Sequence, residues 1–517
     1  MTTLYELVSG AQKNHGDRVF IKEKVSEGIK DTTYNEFYEG AMKVAAFIKD
    51  KIKTAASGSA VHSAVIGPTS SYYLISHLGA MCGGNVGVPI DALLAVPDIC
   101  ELLDRADADV LFYDKRFEAA VPAMRQACAK IQFFVCLTDE GTENGDVTIG
   151  DILKNYEAKT PDKLPEAQDL AAILFTSGTT GKAKGVMLSH GNFMDNVMCC
   201  DNESTPEDVI LTVLPIHHVY CFTCDILLSL RYGNTVCVND SLMKVAQNLK
   251  LFQPTIILLV PMIVSAIYKQ IKSVSKSMPL IPMKVIAKKA FGGRLKVMYS
   301  GGAYLNPELI TAFEKLGITI AQGYGMTECS PRITTGDLTR KSAGDVGTVV
   351  KGCEIRIVDG EITVKSPSVM QGYYKDEAST AETLKDGWLY TGDLGYADDQ
   401  NRLFITGRKK NLIILSNGEN VSPEELENKV EAAQIAQECM VYPEEDVLTV
   451  ELYLGNELYK GKTEEEAVKI VKKRVAEINK TLPSSKAIRR IRIRKEEFEK
   501  TTSRKIKRAQ SVQGDLI

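Results

Sequence analysis

Between Phe175 and His190 the chain reads FTSGTTGKAKGVMLSH, an apolar strand running into a loop of Thr, Ser and Gly with two lysines. Small residues let backbone N–H groups converge on an anion, because no Cβ atoms block the approach. The hydroxyls of Thr176, Ser177, Thr179 and Thr180 add donors, and Lys182 or Lys184 adds positive charge. Such a loop suits a polyphosphate that must be gripped and then released. It is not a Walker A loop, since the spacing G-x-x-x-x-G-K-[ST] is absent. A second acid-bearing pair, Thr327-Glu328, follows an apolar strand and a Gly-Tyr-Gly turn. Asp393, in Thr-Gly-Asp, offers two acceptor oxygens to paired hydroxyls and is at the same time an ordinary turn residue. Arg504, Lys505, Lys507 and Arg508 form a basic cluster that composition alone reads as a solvated face. One CxxC, Cys221 and Cys224, has no second pair nearby and is weak ground for a zinc site.

Elements of alternating type must position these groups. The runs 61–67, 108–114, 131–137, 171–176, 255–260 and 295–300 read as buried strands, separated by segments with helical spacing. In one of these, starting at Tyr34, Thr33 and Glu36 form a candidate capping box. The alternation predicts an α/β architecture with a largely parallel sheet. The stretch from Thr255 to Tyr268 is too short to span a bilayer and reads as a buried strand followed by a turn at Pro261. Beyond residue 340 the texture changes to short β runs, with Asp359-Gly360 as a hairpin turn, which predicts a small β subdomain over about 340–400. Ser422-Pro423-Glu424-Glu425 marks a helix start, and a long charged helix follows near Glu464 to Leu482. These signals divide the chain into a large part, 1–407, and a small α+β domain, 408–517.

With 517 residues, the chain exceeds what one hydrophobic core usually supports. Its net charge of -4 gives no reason to expect nucleic acid or an anionic membrane as a partner. Twelve cysteines without regular spacing read as reduced thiols rather than a disulfide framework. The first residues lack a basic-then-apolar signal pattern and no run is long enough for a transmembrane segment, so the cytoplasm is expected. Peripheral membrane contact is left open by these features.

The loop SGTTGKAKG resembles the signature loop of the adenylate-forming superfamily, which contains acyl-CoA synthetases, firefly luciferase and the adenylation domains of peptide synthetases. The likeness continues in the family's order through LPIHHVY (214–220), SGGAYL (300–305), QGYGMTECS (322–330), YTGD (390–393), GRKKN (407–411) and TTSRKIKR (501–508), covering roughly residues 30 to 510. The texture is most similar to fatty acyl-CoA synthetases. The resemblance implies a large N-terminal domain of α/β subdomains plus a small β subdomain, and a mobile C-terminal domain. It also implies an acid–thiol ligase. A carboxylic acid, expected to be a fatty acid, would react with Mg²⁺-ATP to give acyl-AMP and pyrophosphate, and coenzyme A would then displace AMP.

By that likeness, Thr176, Ser177, Gly178, Thr179, Thr180, Gly181 and Lys184 would hold the leaving phosphates. Glu328 would be the Mg²⁺ carboxylate and Thr327 would bond the α-phosphate. Tyr324 would stack on adenine, with Gly302 and Ala303 along the other face. Asp393 would take both ribose hydroxyls, reinforced by Arg408. Lys505 would bridge the incoming carboxylate and the α-phosphate. Lys410 sits where the family has its hinge, and His218 where it has a gate between acid pocket and thiol tunnel, with His217 in the usual aromatic position. Arg504 replaces the usual Gly before the lysine, Ala183 a Pro in the signature loop, and Tyr304 a Pro after the adenine glycines. No Asp lies between Pro215 and Tyr220, which argues against an amino acid substrate, and Asp225 reads as structural.

Two alternatives accompany this reading. One is an acyl-AMP ligase that loads an acyl carrier protein; no insertion is evident before Lys410, which favours coenzyme A. The other is a catalytically silent acyl- or nucleotide-binding homologue, against which stand Thr176, Glu328, Asp393, Arg408 and Lys505.

Overall fold

The computed structural model describes residues 1–53, 60–176, 183–199, 204–338, 344–415, 420–445, 447–455, 459–500, 506–508 and 514–517. Two large sheets dominate the N-terminal part. One has eight strands in the order Gly372–Tyr373, Lys184–Ser189, Leu170–Thr176, Val86–Ile90, His62–Ile66, Val110–Tyr113, Phe133–Cys136 and Val147–Thr148. The other has seven, in the order Thr319–Gln322, Val297–Ser300, Ile256–Leu259, Val209–Thr212, Thr235–Val238, Val19–Val25 and Gly28–Thr33. Each is mostly parallel, as the strand–helix alternation predicts, with antiparallel strands at one edge. The six apolar runs all become strands of these sheets.

One hydrophobic core joins the two sheets. It takes Val65, Leu174 and Val186 from the first, Phe20, Ile21 and Val236 from the second, and Phe37, Phe47, Leu74 and Leu78 from the helices Tyr34–Lys51 and Ser71–Cys82. The first of these helices opens with the capping box expected at Thr33 and Glu36. The outer faces carry their own cores, one under the helix Val96–Arg105 and one under the helices Val245–Phe252, Pro261–Ser277 and Met283–Ala290. At Pro261 the structure departs from the sequence reading. The residue does not end the element in a turn but starts the helix Pro261–Ser277, since a proline in the first helical turn loses no hydrogen bond.

A five-stranded antiparallel sheet follows, with Glu354–Val358, Glu361–Lys365, Leu384–Lys385 and Leu403–Arg408 arranged around the long strand Trp388–Ala397. Its first hairpin turns at Asp359 and Gly360, both with positive φ, 51° and 79°. The C-terminal part is a separate small α+β unit. The sheet Glu438–Glu444, Val447–Tyr453, Arg490–Arg494 and Asp515–Leu516 packs on the helices Pro423–Ala432 and Glu464–Asn479 around a core of its own, including Leu426, Val450 and Val475. Ser422 caps the first of these helices with Pro423 behind it, as the sequence predicts.

Candidate active site

Strands Leu170–Thr176 and Lys184–Ser189 pair antiparallel with Thr176 opposite Lys184, so the two ends of the Thr/Ser/Gly loop face each other. Ser177, Gly178, Thr179, Thr180 and Gly181 lie outside the described residues, as does Lys505. The edge strand Gly372–Tyr373 pairs with the second strand, with Tyr373 opposite Val186. This register puts the Lys184 ammonium 4.9 Å from the centre of the Tyr373 ring. The Tyr373 hydroxyl donates to Glu328 Oε1 at 2.8 Å. Lys184, Tyr373 and Glu328 therefore form one chain across three elements.

The turn bearing Glu328 is held from several sides. Glu328 O accepts from Met370 N, Cys329 O from the Asn196 side chain, and Ser330 O from the Thr223 hydroxyl. Gly325 passes so near the Pro331 carbonyl that a Cβ would lie 2.0 Å from its oxygen, so only glycine fits there. Thr327 and Glu328 remain half-buried, open on one side to a ligand.

The nucleotide-side candidates converge too. The parallel strands Val297–Ser300 and Thr319–Gln322 run in register, and their carboxyl ends lead into Gly302-Ala303 and Tyr324. Ligands of open α/β sheets bind at that end of the strands. Gly302 and Ala303 are exposed there. The Tyr324 hydroxyl donates to Asp393 Oδ2 at 2.7 Å, and Arg408 Nε reaches Asp393 Oδ1 at 2.8 Å. Both oxygens thus accept one bond, and each keeps a second lone pair. Burial, with the Asp393 carboxylate beside it, pushes the Tyr324 hydroxyl well above its ordinary value and keeps it a donor.

The three residues after Gly407 tie this cluster to the small domain. Arg408 holds Asp393, and Lys409 Nζ bonds the buried Glu361 at 2.7 Å. Partial enclosure, with Arg408 alongside, holds the Lys410 ammonium below its ordinary value, while the charges of Asp393 and Glu328 pull the other way. Lys410 is therefore within electrostatic reach of both halves of the cluster. Gly407 lies against Ser422, where a Cβ would come 2.0 Å from the hydroxyl oxygen. The last motif ends at Arg508, which pairs with Glu427 at 2.5 Å and Glu424 at 3.3 Å on the helix Pro423–Ala432.

His218 is exposed at the start of a short helix, its ring centre 4.3 Å from that of His217. Burial and the neighbouring His218 hold the His217 imidazole down to about 4, although Asp91 lies 3.7 Å away. His217 is therefore neutral near pH 7. Asp225 is fully buried beside Cys221 and away from solvent, in keeping with a structural role.

Sequence reasoning missed Tyr373, Lys409 and Glu361. Tyr373 follows Gln371-Gly372 and belongs to none of the motifs read from the sequence. Its role arises only from the strand register and from a partner distant in sequence.

For Mg²⁺, Glu328 supplies an ionisable carboxylate that is accessible and already oriented by Tyr373. No group of three or more His, Cys, Asp or Glu that could hold a metal exists among the described residues. That donor set fits a hard cation held by one carboxylate together with substrate phosphates, the usual manner of Mg²⁺.

Comparison with known proteins bears on the family and the fold. Residues 9–374 match the model of the AMP-binding enzyme family, and residues 410–514 match that of the AMP-binding enzyme C-terminal domain. A peroxisomal long chain acyl-CoA synthetase 7 of Arabidopsis thaliana is 32% identical over 331 residues, 54% of this chain and 47% of that protein. The chain thus spans about half the length of that relative. An indoleacetate–CoA ligase of Aromatoleum aromaticum is 31% identical, over 75% of this chain and 76% of that one. Among solved structures, an anthranilate CoA ligase in complex with anthranoyl-AMP superposes with a TM-score of 0.83 at 18% identity, covering 98% of this chain and 96% of its own. That likeness establishes the fold: a large N-terminal α/β domain and a small C-terminal one.

Proposed function

The chain belongs to the AMP-binding enzyme family, and from that premise we propose that it is an AMP-forming acid–CoA ligase acting on a fatty acid. The observation that carries the reading is that the Tyr324–Asp393–Arg408 cluster and the Lys184–Tyr373–Glu328 chain both lie within electrostatic reach of Lys410.

A carboxylate attacking the α-phosphate of ATP brings two anions together, so the site must neutralise their repulsion and hold the atoms in line. The Thr/Ser/Gly loop and Lys184 hold the β- and γ-phosphates, and Thr327 bonds the α-phosphate. Glu328 would hold Mg²⁺, which would supply charge neutralisation there. Tyr324 and Asp393 fix the nucleoside, and Arg408 locks Asp393 in place. Lys505 meets the charge that builds on the carboxylate and α-phosphate, and pyrophosphate leaves. The part of the small domain beyond Lys410 then turns about Lys410. Coenzyme A thiolate attacks the acyl carbonyl carbon, and AMP leaves with the C–O bond electrons. His218 gates the passage between acid and thiol.

The long-chain acyl-CoA synthetase relatives support a fatty acid, and the lack of an Asp between Pro215 and Tyr220 counts against an amino acid. The test is product analysis by mass spectrometry after incubation with Mg²⁺-ATP, coenzyme A and a pool of fatty and aryl acids. Fatty acyl-CoA plus AMP is expected. Aryl-CoA alone would overturn the substrate class, and absence of AMP with every acid would overturn the ligase.

A further inference from the structure

The outer helical layer of the second sheet has a composition unlike the rest of the chain. From Ser241 to Pro307 there is no Asp or Glu, against ten Lys and Arg, in a protein whose net charge is -4. The same layer exposes large aliphatic side chains. Leu280 is 96% exposed and Met278 49%, and Ile281 and Val285 are exposed beside them. Met278, Leu280 and Ile281 lie in the turn between the helices Pro261–Ser277 and Met283–Ala290, stiffened by Pro279 and Pro282. Val285, Lys288 and Lys289 stand on one exposed face of the second helix, spaced i, i+3, i+4. They border a groove of 470 Å³ closed on its other side by Lys250 and Gln253.

We propose that this face docks the enzyme on an anionic lipid surface, with the Met278–Ile281 turn entering the headgroup boundary and Lys250, Lys284, Lys288 and Lys289 meeting lipid phosphates. An aliphatic tip costs free energy in water and gains it at the acyl boundary, and a ring of lysines around it draws the tip to negative charge. From Met278 to Val285 the exposed apolar groups are aliphatic, without the aromatic platforms that stack nucleic acid bases. A second copy of the chain would set lysine against lysine. The inference stands apart from the acid the enzyme activates, because none of these residues belongs to the site described above.

Sedimentation of the full chain with vesicles tests it, comparing pure phosphatidylcholine with phosphatidylcholine containing one quarter phosphatidylglycerol. Binding to the anionic vesicles is expected to be at least tenfold tighter, and to weaken as salt rises. Each basic residue contributes roughly fivefold. Lys284→Glu with Lys288→Glu and Lys289→Glu should therefore abolish the preference. Leu280→Ser with Ile281→Ser should weaken binding severalfold while turnover in vesicle-free solution stays as in the parent. Equal binding to both vesicles, or binding unmoved by either set of substitutions, would overturn the proposal. Tighter binding to a DNA duplex than to anionic vesicles would overturn it in favour of nucleic acid, and a dimer dissolved by Leu280→Ser in favour of a second copy.

Discussion

At the scale of single residues, the site works through side chains that orient other side chains. Glu328 alone is a half-buried carboxylate with rotational freedom. Tyr373 removes that freedom by donating to Oε1, and its ring lies beside Lys184. Burial and the Glu328 carboxylate raise the Tyr373 hydroxyl above its ordinary value, so it stays protonated and keeps donating. Tyr373→Phe deletes that one hydrogen bond and keeps the packing of the ring. A hydrogen bond to a charged group contributes about 1.5–3 kcal/mol, so kcat/KM for ATP should fall at least about tenfold. The Mg²⁺ concentration for half-maximal rate should rise as well. That second readout separates positioning from bulk stability. A variant with lower activity but an unchanged metal titration would show that Tyr373 does not act through Glu328.

At the scale of elements, the π-helical segment Phe222–Leu227 turns Asp225 into the interior, where Cys221 Sγ bonds it at 3.3 Å and Oδ1 has no partner among the described residues. Burial pushes this carboxyl up to about 7. The unfolded chain gives up the proton near pH 4, whereas the folded chain keeps it until about pH 7. Asp225 therefore weakens the fold progressively as pH rises from 4 to 7, and by a constant amount above that. Asp225→Asn should raise the melting temperature more at pH 8 than at pH 5. The gain at pH 8 should be on the order of 2–4 kcal/mol. An equal gain at both pH values would mean that the native carboxyl is already ionised. Elements of this kind also mark the limit of what could be read from the chain. Strands, the Thr33 and Ser422 caps and the Asp359-Gly360 turn were legible because each is decided by neighbours in sequence. The Tyr324–Asp393–Arg408 cluster was legible only as separate motifs, since its hydrogen bonds join three distant segments. Tyr373 was not legible, because its partner is set by the register of an edge strand. Pro261 misled because proline both ends and starts helices, and only the strand ahead of it decides which.

At the scale of the whole molecule, the proposed function asks one active site to carry out two reactions with opposite demands. Adenylation needs positive charge on a carboxylate approaching a phosphate, and thioester formation needs that same space for a thiol. The hinge candidate is well placed for such an exchange. Arg408 and Lys409 are fastened to Asp393 and Glu361 on the large domain, whereas Asn411 bonds Glu424 on the small domain at 2.5 Å. Lys410 is the residue between these two attachments, so a change in its backbone angles moves everything that follows it, Lys505 included. If Lys505 serves only the first reaction, its loss should divide the two. Removing one preorganised positive donor from a developing charge costs roughly 10²–10³-fold in rate. Lys505→Ala should therefore suppress acid-dependent exchange of pyrophosphate into ATP by that factor. Transfer of the acyl group from supplied acyl-AMP to coenzyme A should remain within about threefold of the parent, because removing a group made useful only in one transition state leaves the other step intact. Equal loss in both assays would mean that Lys505 stays in the site throughout, and the rotation about Lys410 would lose its purpose.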